Sequence, residues 1–156
     1  MRKRTLAREF ALQVLYQTDI THDSYDIALN NFWQAHSQEN IEEEIKKFTD
    51  ELVKGVTEKL EVIDTNIAQC ATNWQLKRMA VVDRNILRIG CFELMFRDDI
   101  PFKVSINEAV ELAKKYSSLE ASKFVNGILD KIKLEEAPPL PKNIIENNLG
   151  KSGVID

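Results

Sequence analysis

The sequence predicts an all-α protein without a β-sheet, and three observations support this. Apolar residues recur every three or four positions along most of the chain, which is the period of an amphipathic helix. Only 5 Gly and 4 Pro occur in 156 residues, and three of the prolines (Pro138, Pro139 and Pro141) stand near the C-terminus. Helix breakers are therefore rare before residue 137. Finally, no stretch alternates polar and apolar residues as a half-buried strand would.

Residues 4–18 and 24–36 are the first two predicted helices. The first helix has an apolar stripe that begins at Ala7. Arg4 and Arg8 fall about 40° apart on its helical wheel, beside that stripe, so they are predicted to form a basic edge. The second helix collects aromatic residues and one histidine on a single face.

Residues 41–70 and 76–97 carry longer helical patterns. Gly55 stands in the middle of the first pattern and costs about 1 kcal/mol in a helix interior, so we predict two helices, or one that bends near Gly55. The second pattern is the most apolar of the chain and predicts a central helix. Gly90 within it predicts that another helix packs closely against this one.

The last two predicted helices begin with a possible cap. Ser105 and Glu108 have the spacing of a capping box, which predicts a helix that starts there and runs through Tyr116. The final helix is predicted over about residues 120–133. Phe124 lies at the edge of its apolar stripe, where a large aromatic side chain either packs at the rim of the core or offers an exposed stacking surface. The spacing favours the rim.

The charge distribution limits what the chain can bind. A net charge of −4 and a pI near 5.3 argue against a uniformly basic nucleic-acid surface. Arg2, Lys3, Arg4 and Arg8 nevertheless precede the first acid, Glu9, and create a local positive field. Such a cluster either contacts a phosphate backbone or only makes the N-terminus soluble.

Signatures of catalysis, metal binding and membrane insertion are absent from the sequence. It contains no phosphate-binding glycine loop and no nucleophile elbow, and its carboxylates are predicted at solvent-facing helical positions. His22 and His36 have no zinc-ligand spacing to Cys70 or Cys91, which are predicted to be reduced and buried. No apolar run approaches a membrane span and no signal peptide is present. We therefore expect a cytoplasmic protein that is neither an enzyme nor a binder of a cofactor or small-molecule substrate.

Four stretches of the chain carry specific motifs. They are ARE-x-A-x-Q-x-LYQ (Ala7 to Gln17), VVDRNILRIGCFEL (Val81 to Leu94), PFKVSINEAVELAKKY (Pro101 to Tyr116) and KFVNGILDKI (Lys123 to Ile132). In their order and separation these stretches resemble the NusB family of transcription antitermination factors, over roughly residues 4–133.

This resemblance implies an all-α domain of about seven helices in two packed sub-bundles, which we assign to residues 1–136. Residues 137–156 lie outside the resemblance, and their three prolines and weak periodicity predict a flexible tail. It also implies a non-catalytic function. The family pairs with NusE, the ribosomal small-subunit protein, and binds the single-stranded boxA element of ribosomal RNA leaders. The complex then joins RNA polymerase and opposes premature termination.

The resemblance further implies two sets of contact residues. The positions that contact RNA correspond to Arg2, Lys3, Arg4, Arg8, Glu120, Lys123 and Phe124. The positions used against NusE correspond to Tyr16 and Asp83. In this picture Phe124 stacks on an unpaired base beside a cationic rim made by the N-terminal residues. Tyr16 could equally be a tyrosine at the edge of the core.

Two alternatives belong to other classes of protein. One is a helical protein–protein interaction module whose basic N-terminus is incidental. The other is an RNA-recognition unit related to the N-terminal domain of ribosomal RNA cytosine methyltransferases, which would require a further cofactor-binding domain.

Overall fold

The computed structural model describes residues 2–71 and 74–136, and this part of the chain is helical without a β-strand. The helices are α1 (Lys3–Thr21), α2 (Tyr25–Ala35), α3 (Glu43–Glu58), α4 (Leu60–Cys70), α5 (Val81–Phe96), α6 (Phe102–Tyr116) and α7 (Leu119–Glu136), with a 3-10 turn at Leu76–Arg78. The all-α prediction is thus confirmed. The predicted tail, residues 137–156, lies outside the described residues.

Helix α5 is the centre of the fold, as its apolar pattern predicts. Helices α1, α2 and α3 pack against one another, and α4, α6 and α7 pack around α5. Contacts from α1 and α3 to α5 join these two sub-bundles. From Asn85 to Phe96, every α5 residue except Arg88 is buried, which accounts for the almost continuous apolar pattern in this segment. Cys70 and Cys91 are buried as predicted.

Two glycines allow helices to approach closely. A Cβ atom at Gly90 would lie 2.7 Å from Cδ1 of Leu129, so the predicted close neighbour of α5 is α7. A Cβ atom at Gly55 would lie 2.2 Å from the ring of Phe92. Gly55 lies inside α3 and does not end it. The helical segment is interrupted at Lys59, between α3 and α4. Of the two predicted arrangements, two helices is the one observed.

The predicted capping box at Ser105 and Glu108 is wrong. Helix α6 begins three residues earlier, at Phe102, directly after the extended backbone of Pro101. Ser105 is buried within α6 and donates a hydrogen bond to Glu93 Oε1 at 2.8 Å. The Ser and Glu of this motif serve a polar network between helices, which local spacing could not reveal.

Glu9 and Glu93 also contradict the expectation that carboxylates face solvent, because both are buried. Glu9 accepts hydrogen bonds from Tyr116 at 2.6 Å and from Lys115 at 3.0 Å, which fastens α1 to the end of α6. Burial and the neighbouring Glu9 carboxylate raise the pKa of Tyr116 above its usual value.

A second polar cluster fixes the direction of α1 relative to α5. Arg84 donates to Asp19 at 2.6 Å and 3.0 Å, while Arg88 bridges Asp19 and Asp64. Burial opposes ionisation of Asp19, but the hydrogen bonds from Arg84 and Asn85 outweigh it and lower the pKa of that carboxyl. The end of α1 is thereby held at the start of α5, so the two helices run antiparallel.

Candidate nucleic-acid interface

Two of the exposed N-terminal cations, Lys3 and Arg4, are already engaged with acids of the same chain. Lys3 forms ion pairs with Glu44 and with Glu42, the latter at 2.9 Å, and these hydrogen bonds raise the pKa of its ammonium group. Arg4 lies 3.3 Å from Asp99, and its guanidinium stacks 4.4 Å from the ring centroid of Phe48. These acids reduce the positive field that the sequence predicts here, because opposite charges at such distances offset each other.

Arg8 does not belong to an exposed basic edge, so its predicted placement is wrong. The residue is only 3% exposed. Its guanidinium donates to both carboxylate oxygens of Glu93, and to Glu108 at 3.1 Å. Arg8 therefore ties α1 to α5 and α6. Helical spacing placed it beside the apolar stripe correctly, but did not show that two acids from distant segments cover it.

Phe124 is half-buried. It is thus both a residue at the rim of the core and an accessible aromatic surface, the two alternatives that its sequence position allows. One side packs against the hydrophobic core, and the ring also lines a cleft of about 330 Å³. The other lining residues are Trp74, Met79, Asp83, Ser118, Glu120 and Ala121. Lys123 is exposed next to Phe124 in α7. A ring in this position is packed against the core on one side and still accessible on the other, as a base-stacking surface requires.

Phe124 and the N-terminal cations lie at opposite ends of α5, so the predicted cationic rim beside an aromatic finger is not formed. Phe124 shares its cleft with Asp83, in the first turn of α5. Arg4 contacts Asp99, just beyond the last turn. The helix has 16 residues and is therefore about 24 Å long. The antiparallel course of α1 is the cause, because it carries the N-terminus away from Phe124.

Tyr16 lines an apolar groove of about 600 Å³ and is 43% exposed, so it is not a core residue. The groove is formed by α1, α5 and α6, and its lining includes the exposed side chains of Ile20 and Tyr116 together with Val82. An accessible apolar surface between helices is suited to the side chains of another protein.

Asp83, the other predicted NusE contact, lines the Phe124 cleft instead of this groove. It is partly buried, and its Oδ1 atom accepts no hydrogen bond within the described residues. The adjacent residue Val82 lines the groove. The cleft and the groove therefore meet at two consecutive residues of α5. The assignments of contact residues to RNA and to NusE stay predictions.

Trp74 is the aromatic residue of this site that the sequence reasoning missed. It is 51% exposed, and its ring centroid lies 5.6 Å from that of Phe124. Because Trp74 precedes the 3-10 turn and belongs to no helix, periodicity gave no reason to single it out. The available signal was a tryptophan in an irregular segment, followed closely by Lys77 and Arg78.

The described residues show neither a metal site nor a membrane-spanning helix. They contain no group of three metal-ligating side chains, and no helix among them has the length and apolar character of a membrane span. What the fold does present is two accessible surfaces that meet on α5. This defines an all-α protein whose candidate sites are binding surfaces.

Comparison with known proteins assigns the family. The NusB family model matches residues 5–133, so the chain belongs to the NusB family. The NusB transcription antitermination protein of Anaeromyxobacter dehalogenans (strain 2CP-1 / ATCC BAA-258) is 50% identical over 130 residues, which cover 83% of this chain and 89% of the relative. That of Thermodesulfovibrio yellowstonii is 43% identical over 141 residues, covering 86% and 93%. Proteins of this family are transcription antitermination factors, and the chain is accordingly not an enzyme.

Solved structures show the same fold. A crystal form of T. maritima NusB superposes with a TM-score of 0.78 at 36% identity, covering 86% of this chain and 93% of that one. A solved complex of the antitermination factors NusB and NusE with double-stranded RNA contains a chain that matches with a TM-score of 0.76 at 31% identity, covering 86% and 98%.

Proposed function

We propose that this chain binds boxA-type single-stranded RNA of ribosomal RNA leaders together with NusE, the ribosomal small-subunit protein. In the cytoplasm the pair would join RNA polymerase and oppose premature termination. The observation that carries the proposal is the likeness, over 86% of the chain, to a NusB protein solved with NusE and double-stranded RNA. The preference for a single strand rests on the family resemblance and on the accessible ring of Phe124. Family membership and the two adjoining surfaces support it.

The proposed RNA surface is centred on Phe124. Its half-buried ring is offered to an unpaired base, while Lys123 is exposed nearby to meet a phosphate. Glu120 lines the same cleft, where its carboxylate disfavours close approach of phosphate and so helps to fix the path of the strand. Arg2, Lys3 and Arg4 contact the RNA at a distance from this cleft. Arg8 is excluded from the proposed contacts because its guanidinium is buried and bound to Glu93 and Glu108.

The proposed NusE surface is the groove around Tyr16. Its apolar lining supplies contact area, and the acidic Asp83 beside it complements a basic ribosomal protein. Because Val82 and Asp83 are consecutive, NusE seated in the groove would lie next to RNA held in the cleft. We expect bound NusE to make direct contacts with the RNA, so that RNA binds more tightly in the presence of NusE.

The test is a titration of labelled boxA-type RNA, scrambled RNA and a boxA duplex, each with and without NusE. We expect the single-stranded boxA probe to bind most tightly, and NusE to increase that affinity. An affinity for boxA RNA that does not change when NusE is added would refute the joint mode of binding. Absence of RNA binding under all conditions, with NusE binding retained, would identify a protein–protein module instead.

Single substitutions test which surface binds RNA and which binds NusE. Phe124→Ala should weaken RNA binding about tenfold with an unchanged helical circular dichroism spectrum. Tyr16→Ala should weaken NusE binding. Ile27→Ala is the matched control for Tyr16→Ala, since Ile27 is an exposed apolar residue on α2, outside the groove. Equal loss of NusE affinity in both variants would show that the groove is not the interface.

A further inference from the structure

Trp74 offers a second aromatic surface beside Phe124. Half of its surface is accessible, although the residue is large and apolar. Its ring is inclined by 54° to that of Phe124, at a centroid distance of 5.6 Å. The two rings are therefore close enough to meet neighbouring groups of one extended ligand, while their different inclinations give each ring a face of its own.

Trp74 also borders two clefts. It lines the cleft that contains Phe124, and it lines a second cleft of about 850 Å³. The lining of the second cleft is completed by Ala68, Ala71, Gln75, Leu76, Lys77 and Arg78. A strand that leaves Phe124 in this direction would cross the indole ring and then reach two basic side chains.

These basic side chains are available to a ligand. Lys77 and Arg78 are exposed in the 3-10 turn, and neither forms an ion pair within the described residues. Lys3 and Arg4, by contrast, are held by acids of the chain. Accessible positive charge near the aromatic pair thus comes from the turn and from Lys123, not from the N-terminal cluster.

We propose that Trp74, Lys77 and Arg78 form a second RNA subsite that continues the one at Phe124. The indole stacks on an unpaired base next to the base held by Phe124, and the two cations contact the phosphates that follow. A single strand fits this arrangement because its base faces are accessible, whereas a duplex conceals them. The inference rests on the proposed function and specifies the course of the RNA beyond Phe124.

Intrinsic fluorescence tests the stacking directly. The chain has 2 tryptophans, so Trp33→Phe leaves Trp74 as the only one. Single-stranded RNA that stacks on the indole should quench this emission as it binds, with the same midpoint as the anisotropy of a labelled RNA. RNA binding without any change in tryptophan emission would overturn the proposal.

Affinity measurements test the two components separately. Trp74→Ala should weaken RNA binding about tenfold, whereas Trp74→Phe, which keeps a stacking ring, should retain most of the affinity. Lys77→Gln with Arg78→Gln should reduce the salt dependence of binding, by about 0.7 in log–log slope for each lost phosphate contact. The charge-matched control is Lys47→Gln with Lys54→Gln, which changes two lysines in a separate pocket lined by acids. An equal effect of both pairs would contradict a localised subsite.

The outcomes distinguish this subsite from the function on which it depends. If the unmodified protein binds no RNA with or without NusE, the proposed function itself fails. If it binds RNA and Phe124→Ala weakens that binding, but Trp74→Ala does not, only the second subsite fails. Weaker binding of NusE by Trp74→Ala in the absence of RNA would identify a protein contact and overturn the assignment to RNA.

Discussion

Arg8 and Glu93 form a buried bidentate ion pair, in which Nε donates to Oε2 at 2.7 Å and Nη2 donates to Oε1 at 2.9 Å. Their side chains are 4% and 1% exposed. Ser105 donates to the same carboxylate, and Glu108 accepts a further bond from Arg8. The pair connects the first helix to the central helix, so part of the basic N-terminal motif has a structural function.

Substitution of Arg8 should therefore destabilise the protein. Arg8→Met removes the guanidinium that binds both oxygens of the buried Glu93 carboxylate, and we expect a loss of about 3–5 kcal/mol in the free energy of unfolding, measured in urea. Arg8→Met with Glu93→Leu should recover part of this loss, because the more deeply buried of the two carboxylates is removed, while Glu108 keeps its hydrogen bond from Thr5. Arg2→Met is the control, since Arg2 is exposed. Equal stability of the Arg2 and Arg8 variants would contradict the structural function.

Two glycine substitutions should have opposite effects on stability. Alanine is favoured over glycine in a helix by about 1 kcal/mol. At Gly127 a new Cβ meets no atom within 4 Å, so Gly127→Ala should raise the free energy of unfolding by up to that amount. At Gly55 the Cβ collides with the ring of Phe92, and overpacking of this kind costs about 1–3 kcal/mol. Urea denaturation of both variants decides the matter, and a stabilised Gly55→Ala protein would show that Phe92 moves aside freely.

Removing the acids that neutralise Lys3 should strengthen RNA binding. Glu42→Gln with Glu44→Gln frees the Lys3 ammonium, and we expect a few-fold higher affinity at low salt that disappears at high salt through screening. The control removes the same charge at Glu58 and Glu61, exposed residues that form no ion pair in the described part of the chain. Equal gains in the two double variants would indicate an effect of net charge alone, without a contact from Lys3.

The stability contribution of Asp99 should depend on pH. Hydrogen bonds from Arg97, aided by the charge of Arg4, lower the pKa of Asp99 to about 2. Because the pKa is lower in the folded than in the unfolded state, the contribution is complete above about pH 4 and is lost as the pH falls towards 2. The difference in unfolding free energy between the unmodified protein and Asp99→Asn should shrink over this interval. Asp98→Asn, the exposed neighbour, should show no such trend.

Asp83 should contribute to NusE binding but not to the stability of the fold. Its buried Oδ1 has no hydrogen-bond donor in the described structure, a situation that costs about 1–3 kcal/mol. Removing Asp83 should relieve this cost. It also removes a negative charge that stabilises the start of α5 by about 0.3–1 kcal/mol, which offsets part of the gain in stability. Asp83→Ala should thus fold at least as stably as the unmodified protein but bind NusE more weakly. Asp26→Ala, at the start of α2, controls for the helix-end charge. A clearly destabilised Asp83→Ala would contradict this.

Periodicity predicted the helices well because each apolar stripe is buried against a neighbour. It could not predict the partners of polar residues, which come from distant segments: Arg8 and Glu93 are 85 positions apart. The same limit explains Ser105, whose spacing to Glu108 fits a cap although both residues contact other helices. Trp74 escaped notice because a residue outside regular structure has no period. The separation of Phe124 from the N-terminus required the direction of α1, which the Asp19 cluster sets.

Val82 and Asp83, side by side on one turn, have a thermodynamic consequence for the proposed ternary complex. Any factor by which NusE tightens the hold on RNA must equal the factor by which RNA tightens the hold on NusE. A substitution that distorts this turn should consequently diminish both factors together, even if each partner alone still binds normally. The first turn of α5 would then act as the coupling element of the assembly, and its integrity would be measured by cooperativity and not by either affinity.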